Sequence, residues 1–318
     1  MNDLLDSAWT ESAPEIITLG EPLIEFNQHR ADQPDLYIQG FGGDTSNVAI
    51  AAARLGGRVG YITRVGDDRF GRQLLELWQR EGVDTRAVAR DPDAPTGVYF
   101  VTHGPNGHEF NYLRANSAAS RINPDALPKG VIQQARLLHV SGISQAISSS
   151  ACDAVAAAIS LARASRAVVS YDPNLRLKLW PLERARTVIM TTIAQCDLCL
   201  PSLEDARLLF ATDSADAIIA AVHEAGARIV VLKCGAKGCI VSNGNRIERI
   251  AGHPVLSVDA TGAGDCFDGA FAVRVLGRDD VFAAARYANA AAALATTGYG
   301  AVAPLPYDGA VRKLLGTQ

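Results

Sequence analysis

Val258-Asp259-Ala260-Thr261-Gly262-Ala263-Gly264-Asp265-Cys266-Phe267-Asp268-Gly269-Ala270 is the stretch around which the chain is organised. An apolar residue, a carboxylate and a hydroxyl lead into Gly262-Ala263-Gly264, and a second carboxylate, Asp265, follows at once. Phe267, Ala270, Phe271 and Leu276 then recur on roughly one face, which predicts a helix over 263–276. A loop feeding a helix N-terminus presents backbone N–H groups without intrahelical acceptors, together with partial positive charge, and therefore suits an anion such as phosphate. Glycines at 262 and 264 let backbone approach that anion with no side chain between. Standing alone, Asp265 would read only as a favourable charge at a helix start. The adjoining Gly-Ala-Gly gives it a second reading, as a base beside a bound phosphate.

Outward from this stretch, strands alternate with helices. Ile16–Leu19, Val59–Val65, Leu137–Gly142, Ala167–Tyr171, Asp197–Leu200 and Ile229–Leu232 read as strands. Helices are expected from about 44 to Leu55 and over 68–81, 148–165, 181–195, 263–276 and 279–296. That order implies an α/β fold with a mostly parallel, doubly wound sheet covered on both faces. Two stretches break the pattern. Asp35–Gln39 has period-2 character, and residues 96–102 and 108–114 read as a hairpin around Gly104-Pro105-Asn106-Gly107. These are expected to form a small separate β-sheet, a discontinuous lid from about 23–40 and 88–115 on a single domain spanning 15–318. Tyr99, Tyr112 and Arg114 alternate so as to share one face of the hairpin. On pattern alone, ordinary aromatic packing is the favoured reading of that face.

Composition narrows the function. Apolar residues make up 48%, enough for a large core, and 30 basic against 34 acidic residues give a net charge of −4 with no basic cluster. That argues against nucleic acid or an anionic membrane as partner. The first fourteen residues are acidic and read as a frayed tail without signal-peptide character. The six cysteines lie at 152, 196, 199, 234, 239 and 266, and the single C-x-x-C has no second pair at ligand spacing, so buried thiols in a reducing cytoplasm are expected.

The glycine loop is neither a Walker loop, since no Gly-Lys-Ser/Thr follows, nor a dinucleotide fingerprint, since the third glycine is missing. It does resemble a known family. Asp259-Ala-Thr-Gly-Ala-Gly-Asp265 is similar to the C-terminal signature of the ribokinase-like (PfkB) carbohydrate kinases. Gly42-Gly43-Asp-Thr-Ser-Asn47, with Arg54-Leu-Gly and Gly66, is similar to their N-terminal signature, and Lys233-Cys-Gly-Ala-Lys-Gly238 to their nucleotide loop. The resemblance runs from about 16 to 310. It implies a ribokinase-like fold with a β lid, ATP and Mg2+ as co-substrates and transfer to a sugar hydroxyl; separately, the lid aromatics point to a homo-oligomer, a dimer through the lid. It puts Asp265 at the catalytic-base position and Gly262, Ala263 and Gly264 at the anion hole. Ser202, Lys233, Gly235, Lys237, Gly238 and Asn289 fall on the nucleotide side. Asp259 and Thr261, with backbone of 295–300, match a monovalent-cation (K+) site. The family's Asn-x-x-Glu is replaced by Ser202-Leu-Glu-Asp205, which leaves Asp205 as the metal-side carboxylate.

Within the family the likeness leans towards 2-keto-3-deoxygluconate kinases, on Gly20-Glu21-Pro22-Leu23, Ser141-Gly142-Ile143, Asp172-x-Asn174-x-Arg176 and the lid residues. That places Gly43, Tyr99, Tyr112, Arg114, Asn174 and Arg176 around the acceptor. A sugar acid carries a carboxylate, for which arginines are suited by charge-assisted, often bidentate hydrogen bonds, whereas a neutral sugar offers them no such partner. The competing readings are that each arginine pairs with a local acid such as Glu21 or Asp172, that the acceptor is fructose, ribose or a related sugar, or that the fold is a non-catalytic sugar or nucleotide sensor.

Overall fold

The computed structural model describes residues 13–30, 33–104 and 107–317. Residues 1–12 of the expected tail, and Pro105 and Asn106 at the expected hairpin turn, lie outside the described residues. The chain opens with β1 (Ile16–Leu19), β2 (Leu23–Arg30), β3 (Gln33–Gly42), α1 (Asp44–Arg54), β4 (Val59–Gly66), α2 (Arg69–Arg80), β5 (Val88–Asp91), β6 (Val98–Gly104) and β7 (Gly107–Leu113). The alternating part follows as α3 (Lys129–Gln133), β8 (Leu137–Ser141), α4 (Gly142–Ala146), α5 (Ser149–Ala164), β9 (Val168–Asp172), α6 (Leu182–Ile193), β10 (Leu198–Cys199), α7 (Leu203–Phe210), α8 (Ala215–Ala225) and β11 (Ile229–Lys233). It closes with β12 (Cys239–Ser242), β13 (Ile247–Ile250), α9 (Ala263–Leu276), α10 (Val281–Ala295) and α11 (Asp308–Leu315).

Nine strands form the main sheet in the order β13-β12-β11-β10-β9-β8-β1-β4-β5, parallel except for β12 and β13. Strands β1, β8 and β9 are wholly buried, as a sheet with helices on both faces requires. One face packs α1, α2, α9, α10 and α11 around Tyr61, Leu74, Trp78 and Phe271. The other packs α3 and α5–α8 around Val140, Ile159, Ile189 and Ile219. Helix starts follow local chemistry: the Asp68 side chain accepts from Gly71 N–H at 2.7 Å to begin α2, and Ser148 does the same for α5 at 3.0 Å from Ala151 N–H.

A second sheet, β3-β2-β6-β7, stands apart from the first, with β2–β6 parallel and the outer pairs antiparallel. It is the small sheet expected from the sequence, with two differences. Strand β2 lies between 35–39 and the hairpin. Residues 88–91, placed in the lid on sequence, form β5 and pair with β4 of the main sheet, because Thr63–Gly66 leave a free parallel edge there. Helix α9 also differs from its one-faced expectation. Cys266, Asp268, Gly269 and Ala272 are buried along with the apolar face, since small residues let α1 and α10 pack closely on separate sides.

Candidate active site

The chemistry-bearing residues gather at the carboxyl ends of β1, β8, β9 and β11, where open α/β sheets place their ligands. The chain leaves β3 at Gly42, turns through Gly43 at φ 98° and enters α1 at Asp44. The positive φ favours glycine, and a Cβ at Gly43 would drive into the Glu21 carbonyl. This turn delivers two polar side chains into the site. Asp44 is buried, and burial raises its carboxyl above the usual range. Asn174 Nδ2 reaches it at 3.4 Å from the turn after β9, where Asn174 itself holds φ 35° with its N–H on the Asp172 carboxylate at 3.0 Å. One turn along α1, Asn47 Nδ2 donates to Asp265 Oδ2 at 2.8 Å.

Asp265 lies in the first turn of α9. Burial, followed by the nearby Asp44 charge, pushes its carboxyl up to about 7, against the Asn47 hydrogen bond and the Lys233 charge. Gly262 begins the helix at φ 76° with no side-chain cap. The Ala263 N–H turns back to the Ala260 carbonyl at 3.2 Å, whereas Gly264 and Asp265 carry first-turn amides for which a helix has no acceptor. Asp259 braces the turn from behind: one oxygen accepts from Thr261 N–H at 2.9 Å and Oγ1 at 2.7 Å, the other from Gly300 N–H at 2.9 Å.

Lys233 at the end of β11 supplies the local cation. Its Nζ lies 2.9 Å from Asp172, 2.9 and 3.1 Å from the two oxygens of Asp268, and 3.6 Å from where a Cβ on Gly264 would stand. Burial opposes its charge, but the two carboxylates outweigh that and raise the ammonium pKa. Burial also acts on Asp172, where Lys233 prevails and lowers the pKa, and on Asp268, where burial prevails and raises it well above the usual range. His139 behind them, its Nδ1 3.0 Å from Ser170 Oγ, is pushed by burial down to about 4 and stays neutral.

Beyond Lys233 the chain makes one tight turn over Gly235–Lys237, with Gly238 at φ 94° leading into β12. Lys237 is exposed. Asn289 on α10 donates to the Ala251 carbonyl at 2.7 Å and so fixes the segment facing this turn. Ser202 caps α7 by accepting from Asp205 N–H at 3.0 Å. Asp205 accepts from Leu175 N–H at 3.2 Å, and burial raises its carboxyl. The degenerate motif therefore works locally as a helix cap and presents Asp205 towards the turn that carries Arg176.

On the small sheet, Tyr99 and Tyr112 are cross-strand partners whose rings stack at 5.6 Å, and the Arg114 guanidinium lies 5.4 Å from the Tyr112 ring centre. Tyr99 donates to Glu25, and burial raises its phenol, with Glu25 and Asp265 adding to the effect. Burial raises Tyr112 as well, against the charges of both Arg114 and Arg176. Both guanidinium charges thus act on the Tyr112 phenol. They are not alike in partners. Arg114 pairs with the fully buried Glu21, which also accepts from Ser117 Oγ at 2.7 Å. Arg176 is half exposed, bonded to the Leu175 carbonyl at 2.9 Å and 3.9 Å from Asp205.

Asp265, Gly264, Lys233, Asn174, Tyr99, Tyr112, Arg114 and Arg176 therefore surround one region, while Lys237 and Asn289 stand at its edge, on and against the turn over 235–238. Asp44, Asn47, Glu25 and Asp268 also belong to the region and were not expected there as site residues. The i, i+3 spacing of Asp44 with Asn47, and of Asp265 with Asp268, could have placed each pair on one helix face.

Residues 16–308 match the model of the pfkB family of carbohydrate kinases. The 2-dehydro-3-deoxygluconokinase of Thermoproteus tenax is 35% identical over 315 residues, covering 96% of this chain and 95% of that protein. The Arabidopsis thaliana protein named "Probable fructokinase-5" is 33% identical over 320 residues, covering 96% of this chain and 98% of that protein. Among solved structures, the E. coli "putative Ribokinase II" in complex with ATP and Mg2+ superposes with a TM-score of 0.89 at 28% identity, covering 95% of this chain and 99% of that one.

Proposed function

The chain belongs to the pfkB family of carbohydrate kinases, and we propose that within it the chain transfers the γ-phosphoryl group of ATP to the terminal hydroxyl of 2-dehydro-3-deoxy-D-gluconate. Asp265 takes the hydroxyl proton. The freed oxygen lone pair forms the bond to the γ-phosphorus as the bond from phosphorus to the β–γ bridging oxygen breaks and ADP leaves. The Gly264 and Asp265 amides and Lys233 face the charge that spreads over the transferring group. ATP fits the uncapped N-terminus of α9, with Lys233 beside it. Mg2+ would neutralise phosphate charge and needs only one or two protein carboxylates, and Asp205, which accepts from Leu175 N–H, is the one assigned to it. The oxygen-rich turn of Asp259 and Thr261 suits a monovalent cation such as K+.

The sugar-acid reading rests on one observation: Arg176 is half exposed, its charge acts on the Tyr112 phenol together with that of Arg114, and its acidic neighbour, Asp205, is 3.9 Å away. A substrate carboxylate would complete it. A neutral ketohexose is favoured by a different fact, the pairing of Arg114 with buried Glu21, which already gives that guanidinium a counter-charge. Steady-state rates with ATP and each acceptor separate the two. Sugar-acid kinase activity requires kcat/KM for 2-dehydro-3-deoxy-D-gluconate well above that for fructose, and Arg176→Met to cost the sugar acid roughly 10–100-fold while sparing a neutral sugar. Equal kcat/KM for the two acceptors would sink the carboxylate argument. The exposed Leu36, Ile38 and Leu113 of the small sheet support a homodimer through that sheet.

A further inference from the structure

Arg54 closes α1 and touches none of the groups placed above around substrate. Its side chain is 9% exposed, and its donors are divided between two directions. Nε and Nη2 grip Glu81, at the end of α2, at 2.8 and 3.0 Å. Nη1 points the other way, to the carbonyls of Leu305 at 2.7 Å and Val302 at 3.0 Å, with Ala303 at 3.5 Å. The Tyr307 ring lies 5.1 Å from the guanidinium carbon. One buried cation thus gathers the segment 302–307 against α1 and α2.

That segment continues without a break from the wall of the phosphate-binding turn. The Thr296 carbonyl accepts from Val258 N–H at 2.7 Å and Asp259 N–H at 3.1 Å. Gly300 N–H holds Asp259. Ala301 stands directly behind Gly262, so that a Cβ there would lie 2.9 Å from the Ala301 carbonyl oxygen and 3.1 Å from its Cα. Segments 258–262 and 296–305 therefore face one another as two strips of irregular backbone. Such backbone has no sheet or helix ladder to fix it and depends on side-chain anchors.

We infer that Arg54 is a positioning residue for the phosphate-binding turn: it holds 302–305, which sets Ala301 against Gly262 and so aims the first amides of α9. This rests on the reading of that turn as the phosphate site. The fork of an arginine is needed, because Glu81 fixes the guanidinium plane while the opposite edge reaches the carbonyls. A lysine ammonium carries three donors at one point and cannot span both.

The test uses the full-length protein, ATP, and whichever of the two acceptors gives the higher kcat/KM. Arg54→Met should lower kcat about 10–100-fold and raise KM for ATP, with KM for the acceptor within about twofold, the cost expected of a small misplacement far from the chemistry. Hydrogen exchange should quicken in 258–264 and 296–305 ahead of the rest of the chain. Arg54→Lys should remain impaired. Glu81→Gln, which keeps a hydrogen-bond acceptor but removes the ionic partner, should show the same pattern more weakly and serves if the methionine variant does not fold. Unchanged kcat in Arg54→Met or Glu81→Gln, or exchange that quickens evenly along the chain, would overturn the inference. Asp265→Asn is measured alongside. If that variant retains full turnover, the catalytic reading of this site fails; if it is inactive while the Arg54 variants are normal, only the role of Arg54 fails.

Discussion

The Asp265 carboxyl, pushed up to about 7 by burial and by the Asp44 charge, must be ionised to accept a proton. The acid limb of kcat/KM should therefore fall through about pH 7 rather than through the ordinary carboxylate range. Asn47→Ala removes the hydrogen bond that favours the charged form, so it should move that limb to higher pH. A limb that stays put in a pH–rate profile of the variant would refute the coupling. Stability carries the opposite sign. A carboxyl with a raised folded pKa holds its proton more tightly in the folded chain between its unfolded value and about 7, so stability is lost as pH rises across that window. Asp265→Asn should cost activity about 10²–10⁴-fold, yet melt higher than the wild type above pH 7, with the difference fading towards pH 4. Paired rate measurements and thermal melts at pH 5 and pH 8 check both halves.

Helix α9 links this carboxyl to the fold, and its packing shows what the sequence could and could not reveal. The glycines, the carboxylates and the helix start were all legible, because loop chemistry and helix capping are local. Its burial on nearly every side was not, since alanines and glycines look alike on an exposed face and between two helices. At Gly269 an added Cβ would lie 2.7 Å from the Val48 carbonyl and 3.0 Å from Ala52 N, so α1 and α9 approach backbone to backbone. Gly269→Ala should accordingly destabilise by about 1–3 kcal/mol in urea titration, as overpacking does. It should also slow turnover, because α1 carries Asn47 and Asp44. A variant as stable and active as the parent would show that the two helices separate freely. The same division explains the strands. Alternation exposed most of the main sheet, but β5 was placed in the small sheet, because which edge a strand joins is decided by a partner far along the chain. Lys233 stood out in the sequence at the start of the Lys233–Gly238 loop. That Asp172 and Asp268 hold it was not legible, since the three come from β11, β9 and α9 and meet only in the folded molecule.

At the scale of the whole molecule, the loop over 233–238 and α9 belong to the main sheet and its helices, whereas Tyr99, Tyr112 and Arg114 belong to the small sheet. The small sheet is a thin unit: its own buried apolar cluster is Leu23, Tyr99 and Val101. Four strands with so little core are marginal by themselves and gain from a covered face. The edge strand β3 exposes Leu36 at 49% and Ile38 at 54%, and β7 exposes Leu113 at 68%. Unpaired edges bearing apolar side chains invite association, and a second copy of the chain would bury them. The expectation is a dimer by sedimentation at assay concentrations, converted to monomer by Ile38→Asp. Because the tyrosines proposed to meet the acceptor ride on the same sheet, the monomeric variant should raise KM for the acceptor more than KM for ATP. A wild-type chain that sediments as a monomer with full activity would remove this role from the small sheet. It would leave the small sheet's acceptor contacts to be tested by Tyr99→Phe and Tyr112→Phe in the same acceptor assay.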